Sequence, residues 1–149
     1  MNKAKQIVGI AQQIARETQG FHNVKGAGTG DKATHTFMAE LQRRVQKALG
    51  RNYSEKQICG EKIKSAVDFY IPEEKTIVEV ALSLKTPLSE FHKDLFKALL
   101  AKDNGVSVKQ LLFITKPGAI KRHKEPASQA IIRWLKKYYG VHVTIEELR

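Results

Sequence analysis

Ser65 to Ala81 reads SAVDFYIPEEKTIVEVA, two short apolar runs that alternate at period two around the turn-forming Pro72-Glu73-Glu74-Lys75. Such a pattern predicts a β-hairpin with Val67, Phe69 and Ile71 on one face and Asp68 and Tyr70 on the other. In the partner strand Val78, Val80 and Leu82 oppose Glu79, Ala81 and Ser83. The hairpin therefore sets Asp68 and Glu79 on one side of a sheet. Within apolar strands of a chain holding 26 Lys+Arg against 15 Asp+Glu, two facing carboxylates call for a positive group between them, and a divalent cation is the simplest.

Ile7, Ile10, Ala11 and Ile14 recur at helical spacing over about 3–18, ended by Gly20. Residues 20–32, with Gly26, Gly28 and Gly30, read as a mobile loop; it is no phosphate loop, because no strand precedes it and Lys32 follows Asp31 rather than Gly. A second helix over about 33–49 carries Phe37, Leu41 and Val45 on one stripe, with Glu40 about 60° away at its edge. Strands are expected at about 56–63, 66–71 and 76–84. Thr86-Pro87 opens a helix through about Ala101, and Asn104-Gly105 stops it. A strand over 108–115, a helix from Pro126 to about Tyr139 stopped by Gly140, and a strand over 141–145 complete the order ααβββαβαβ. That order predicts an α/β domain spanning 1–149, with a mixed sheet, helices on both faces, and later strands parallel through helical crossovers.

A formal net charge of +11 points to a polyanionic partner, nucleic acid first. No run approaches a membrane span, and no segment pairs a basic face with a clean apolar one. The single cysteine, Cys59, excludes an internal disulfide framework and a cysteine zinc cage; a buried strand residue and a cytoplasmic location are expected. The five histidines lack metal-ligand spacing. Lys116, Lys121, Arg122 and Lys124 lie in a loop after a strand and form the expected track for a phosphate backbone, each phosphate neutralised adding about 0.9 to the salt slope. Trp134 is expected in the core.

The acid-bearing helix, the three-strand meander with Asp68 and Glu79, and the crossover helix together resemble the PD-(D/E)XK nuclease superfamily over about residues 34–145. The run Ile77 to Leu84 followed by Phe91-His92-Lys93-Asp94-Leu95-Phe96-Lys97 is most similar to the BamHI and BglII type of restriction endonuclease. This resemblance implies a restriction-endonuclease-like fold, a Mg²⁺-dependent DNA endonuclease (Mn²⁺ substituting), and a homodimer. Asp68 and Glu79 take the places of the family's two acids, the Val80 carbonyl that of a third metal ligand, and Glu40 that of the acid from the preceding helix. One position departs from the pattern: Ala81 stands where the family has Lys, Glu or Gln. Lys85 lies about 20 Å along the strand from Glu79 and is too far. The crossover helix offers Lys93 and Lys97, one turn apart, of which Lys93 is the expected phosphate contact. Two alternatives stay open: a structure-selective nuclease, and a non-catalytic nucleic-acid-binding module that has lost its third catalytic position.

Overall fold

The computed structural model describes residues 2–23, 29–82 and 87–149. Helix α1 (Lys3–Glu17) starts where the Asn2 side chain accepts the Lys5 amide. Helix α2 (Thr29–Leu49) follows a 3₁₀ turn at Phe21–Asn23. Three strands come next: β1 (Ser54–Lys56), β2 (Val67–Ile71) and β3 (Thr76–Ala81). Helix α3 (Pro87–Asp103) then leads to β4 (Gln110–Thr115). The short α4 (Ala119–Arg122) and α5 (Pro126–Tyr139) precede β5 (His142–Glu147).

The five strands lie in sequence order, β1–β2–β3 antiparallel and β3–β4–β5 parallel, which gives the expected mixed sheet with helical crossovers between the parallel strands. Both faces are covered. Ile7, Ala11, Leu41 and Val45 of α1 and α2 pack against Phe69, Ile71, Val78, Leu112 and Ile114. Phe91, Leu95 and Ala98 of α3 and Leu135 of α5 pack against Ile77, Leu111, Phe113 and Val143. Burial on both sides explains why β4 reads as a continuous apolar run, with Leu111 to Thr115 all buried. Leu41 is fully buried at the centre of the first layer. Leu41→Ala is expected to lower unfolding free energy by about 2–5 kcal/mol, read from the denaturation midpoint.

Several boundaries differ from expectation. Strand β1 is short and earlier than 56–63: it pairs Ser54 with Phe69 and Lys56 with Val67, the first residue of β2, so no strand residue continues the ladder beyond Lys56. Cys59 is buried as expected, but it lies outside any strand and donates to the Lys97 carbonyl at 3.4 Å. Residues 29–32, expected in the loop, already belong to α2. The glycine-rich centre of that loop, the Thr86 cap and Lys85 lie outside the described residues. Val67, at the start of β2, joins the α3 layer instead of facing α2 with Phe69. Trp134 is 44% exposed: the α5 stripe that meets the sheet runs through Ile131, Ile132 and Leu135, which turns the indole outward.

Candidate active site

Phe69 pairs with Val78, so the antiparallel register continued by one residue sets Asp68 opposite Glu79. The two side chains cross there. Asp68 Oδ2 accepts the Val80 amide at 2.8 Å, and Glu79 Oε2 meets the Asp68 amide at 3.4 Å. Val80 and Asp68 thus meet through the Val80 amide.

Glu79 projects onto the face covered by α3 and is only 2% exposed. There it meets Lys97, whose Nζ lies 3.1 Å from Glu79 Oε1, 3.1 Å from Asp94 Oδ1 and 3.2 Å from the Ala66 carbonyl. The helix phase explains this choice of lysine. Phe91, Asp94, Leu95, Ala98 and Ala101 are all buried, so Asp94 sits inside the apolar stripe of α3. Lys97 flanks it one turn on, whereas Lys93 lies about 160° around the axis from Phe91. Lys93 is accordingly exposed. Its side chain lines a cleft of about 400 Å³ that Ser65, Phe96 and Lys97 also border. Ala81 packs as hydrocarbon in the α3 layer.

The electrostatics of the cluster follow from its burial. Burial, reinforced by the charges of Asp68 and Asp94, raises the Glu79 carboxyl well above its usual range even with Lys97 beside it. Burial also raises Asp94, with Lys97 opposing. For Lys97 burial favours the neutral amine, but Glu79 and Asp94 outweigh it and hold the ammonium above its ordinary value. Fully ionised, Asp68, Glu79 and Asp94 against Lys97 leave two negative charges uncompensated. Asp94 was not anticipated as a member. Its signal in the sequence was an acid in phase with Phe91, Leu95 and Ala98.

Glu40 does not join this group. It stands on α2, whose apolar stripe packs on the opposite sheet face, and its carboxylate is taken by Arg43 (2.7 Å) and Arg44 (2.6 Å). Those two guanidinium groups lower its pKa to about 2. Arg44 also reaches Glu17 at 2.6 Å.

Ala81 pairs with Thr115 across the parallel β3–β4 ladder, so the segment after Thr115 leaves the sheet at the end where β3 leaves Glu79. This segment is the basic one, and it holds a short helix where a plain loop was expected. Glu147 Oε1 accepts the Gly118 and Ile120 amides at 3.0 and 2.9 Å, so a carboxylate already occupies the helix start. Lys121, Arg122 and Lys124 are exposed, while the Lys116 ammonium lies 4.9 Å over the Phe21 ring. Among the described residues no three His, Cys, Asp or Glu side chains form a ready metal-ligating group, and no helix is long and apolar enough to cross a membrane.

No protein-family model matches the chain, and no curated protein or solved structure matches it.

Proposed function

We propose that this chain is a divalent-metal-dependent DNA endonuclease of the PD-(D/E)XK kind, restriction-type or structure-selective, whose essential lysine comes from the crossover helix. The observation that carries this reading is the Lys97 ammonium 3.1 Å from Glu79, which supplies from α3 the cation that Ala81 does not supply from β3. Lys97 therefore replaces Lys93 as the phosphate-stabilising group, and Lys93 becomes an outer contact on the rim of the cleft. The meander, crossover helix and parallel strand support a restriction-endonuclease-like arrangement.

The donor set suits a hard dication. Its oxygens are carboxylates on adjoining strands, and the two uncompensated charges of the cluster match one Mg²⁺. Asp68, Glu79 and the Val80 carbonyl would hold it, with Mn²⁺ as substitute. When bound, the ion supplies Lewis acidity toward the phosphoryl group and a lowered pKa for attacking water. Lys97 orients Glu79 and places positive charge where the phosphate gains negative charge. Lys121, Arg122 and Lys124, with Lys116 behind them, track the backbone of DNA from the same end of the sheet, and two copies in a homodimer cut both strands.

Ala81 favours one second reading, a nucleic-acid-binding module that keeps the fold without cutting. Incubation of plasmid, single-stranded and branched DNA with Mg²⁺ or Mn²⁺ separates the two. Wild type is expected to cut at least one substrate, with Asp68→Ala and Glu79→Ala slower by about 10²-fold or more. Salt-sensitive binding without cleavage of any substrate would leave the binding module.

A further inference from the structure

Trp134, Tyr138 and Tyr139 of α5 are 44%, 65% and 40% exposed. From Pro126 to Tyr139 the helix contains no acid, while Arg133, Lys136 and Lys137 are all exposed. Among the described residues no ion pair engages those three cations. The rings form an ordered row. Trp134 and Tyr138 are four residues apart, so they lie about 40° apart around the axis and about 6 Å apart along it. Arg133 and Lys137 make the neighbouring row. The Lys137 ammonium sits 5.2 Å over the Tyr138 ring, and Tyr139 packs edge-on against Trp134 with centroids 5.1 Å apart.

Two kinds of occupant can cover exposed aromatics beside cations: a second copy of the chain, or a polyanion with π-faces. A two-fold contact through this face would bring Arg133, Lys136 and Lys137 toward their own duplicates with no acid to offset them. A polyanion is complementary to the same residues. Duplex DNA hides its base faces within a continuous stack of about 3.4 Å steps, which leaves no π-face open to exposed rings. Unstacked bases of a single strand meet both requirements, with π-faces for the rings and phosphates for the cations.

We propose that the outer face of α5 binds single-stranded nucleic acid, stacking unpaired bases on Trp134 and Tyr138 while Arg133, Lys136 and Lys137 take the phosphates. This surface is separate from the carboxyl cluster. Helix α5 connects the parallel strands β4 and β5 and so runs back along the sheet, which carries its C-terminal turns toward the opposite end from Glu79. The proposal adds a grip on unpaired strand that does not depend on cleavage.

The chain has one tryptophan, so its emission reports this face directly. With EDTA present to prevent cutting, titration with an oligothymidylate of about 12 nucleotides should quench Trp134 saturably, and a hairpin duplex of equal phosphate count should not. Tyr138→Ala, at a largely exposed position, should keep the wild-type melting temperature and bind the oligomer about 5- to 100-fold more weakly. Trp134→Ala, read by anisotropy of a labelled oligomer, should weaken binding likewise. Because EDTA prevents cutting, failure of the nuclease reading leaves this result standing. Equal affinity in Tyr138→Ala and wild type, equal quenching by duplex, or an emission maximum that shifts with protein concentration in the absence of oligomer would overturn the proposal, the last by assigning the face to a second copy.

Discussion

Lys97→Ala is expected to lower Mg²⁺-dependent cleavage by about 10²–10³-fold, while Lys93→Ala keeps cleavage within about threefold of wild type, a difference of under 1 kcal/mol. The contrast rests on placement along one helix. Lys97 is half-buried with its ammonium against Glu79, Asp94 and the Ala66 carbonyl, whereas Lys93 is exposed on the rim. Removing Lys97 also leaves Glu79 and Asp94 buried without their cation, a situation that costs about 3–5 kcal/mol where no relaxation compensates. Single-turnover rates are therefore to be compared at a temperature at which circular dichroism shows both variants folded. A further readout separates chemistry from support. Without Lys97 the Glu79 carboxyl rises further, since Lys97 is the group lowering it, so residual cleavage should shift toward alkaline pH. Wild-type rates in Lys97→Ala, or the larger loss in Lys93→Ala, would remove Lys97 from its assigned role.

The hairpin was legible because its two strands repeat at period two and its turn contains Pro72, so register and the facing of Asp68 and Glu79 follow from local pattern alone. The strand-helix alternation after residue 87 was equally local, and it led to the parallel half of the sheet. What escaped was side-chain choice between neighbours. Lys93 and Lys97 are equivalent by spacing from Glu79, and only the phase of Phe91, Leu95 and Ala98 around α3 tells which of them turns inward. Applied to α3, that phase would also have found Asp94. Glu40 misled for the opposite reason: its position at the edge of an apolar stripe was read correctly, but Arg43 and Arg44, three and four residues on, compete for its carboxylate locally. Trp134 was assigned by residue type, when the apolar spacing of Ile131, Ile132 and Leu135 already left it outside. The length of β1 depends on its pairing with β2, which ends at Val67, and no periodicity within residues 56–63 records that.

Glu79→Gln is expected to raise the melting temperature of the metal-free protein at pH 7–8 by several degrees. Burial and the charges of Asp68 and Asp94 raise the Glu79 pKa in the folded chain. The folded state therefore holds this proton more tightly than the unfolded one, and the stabilisation is complete below about pH 4.3, the unfolded value. It is lost as pH rises through the folded pKa. Gln keeps the shape and cannot ionise, so it removes that loss, while Lys97 retains Asp94 and the Ala66 carbonyl. Replacing a buried ionic group in this way stabilises by up to about 1–4 kcal/mol, and about 2–4 °C per kcal/mol applies at this chain length. Divalent cations should reverse the ranking. Ca²⁺ at about 100 times its Kd stabilises wild type by about 2.7 kcal/mol through binding to the native state alone, whereas Glu79→Gln, lacking one anionic ligand, should respond weakly. Thermal melts from pH 5 to 9, with EDTA and with Ca²⁺, read both effects. A lower melting temperature for the variant throughout, together with equal cation shifts in both proteins, would make the Glu79–Lys97 pair a structural ion pair. The opposite pattern identifies a site that holds its carboxylates at the expense of stability until a cation arrives, the trade expected where function, and not folding, places buried charge.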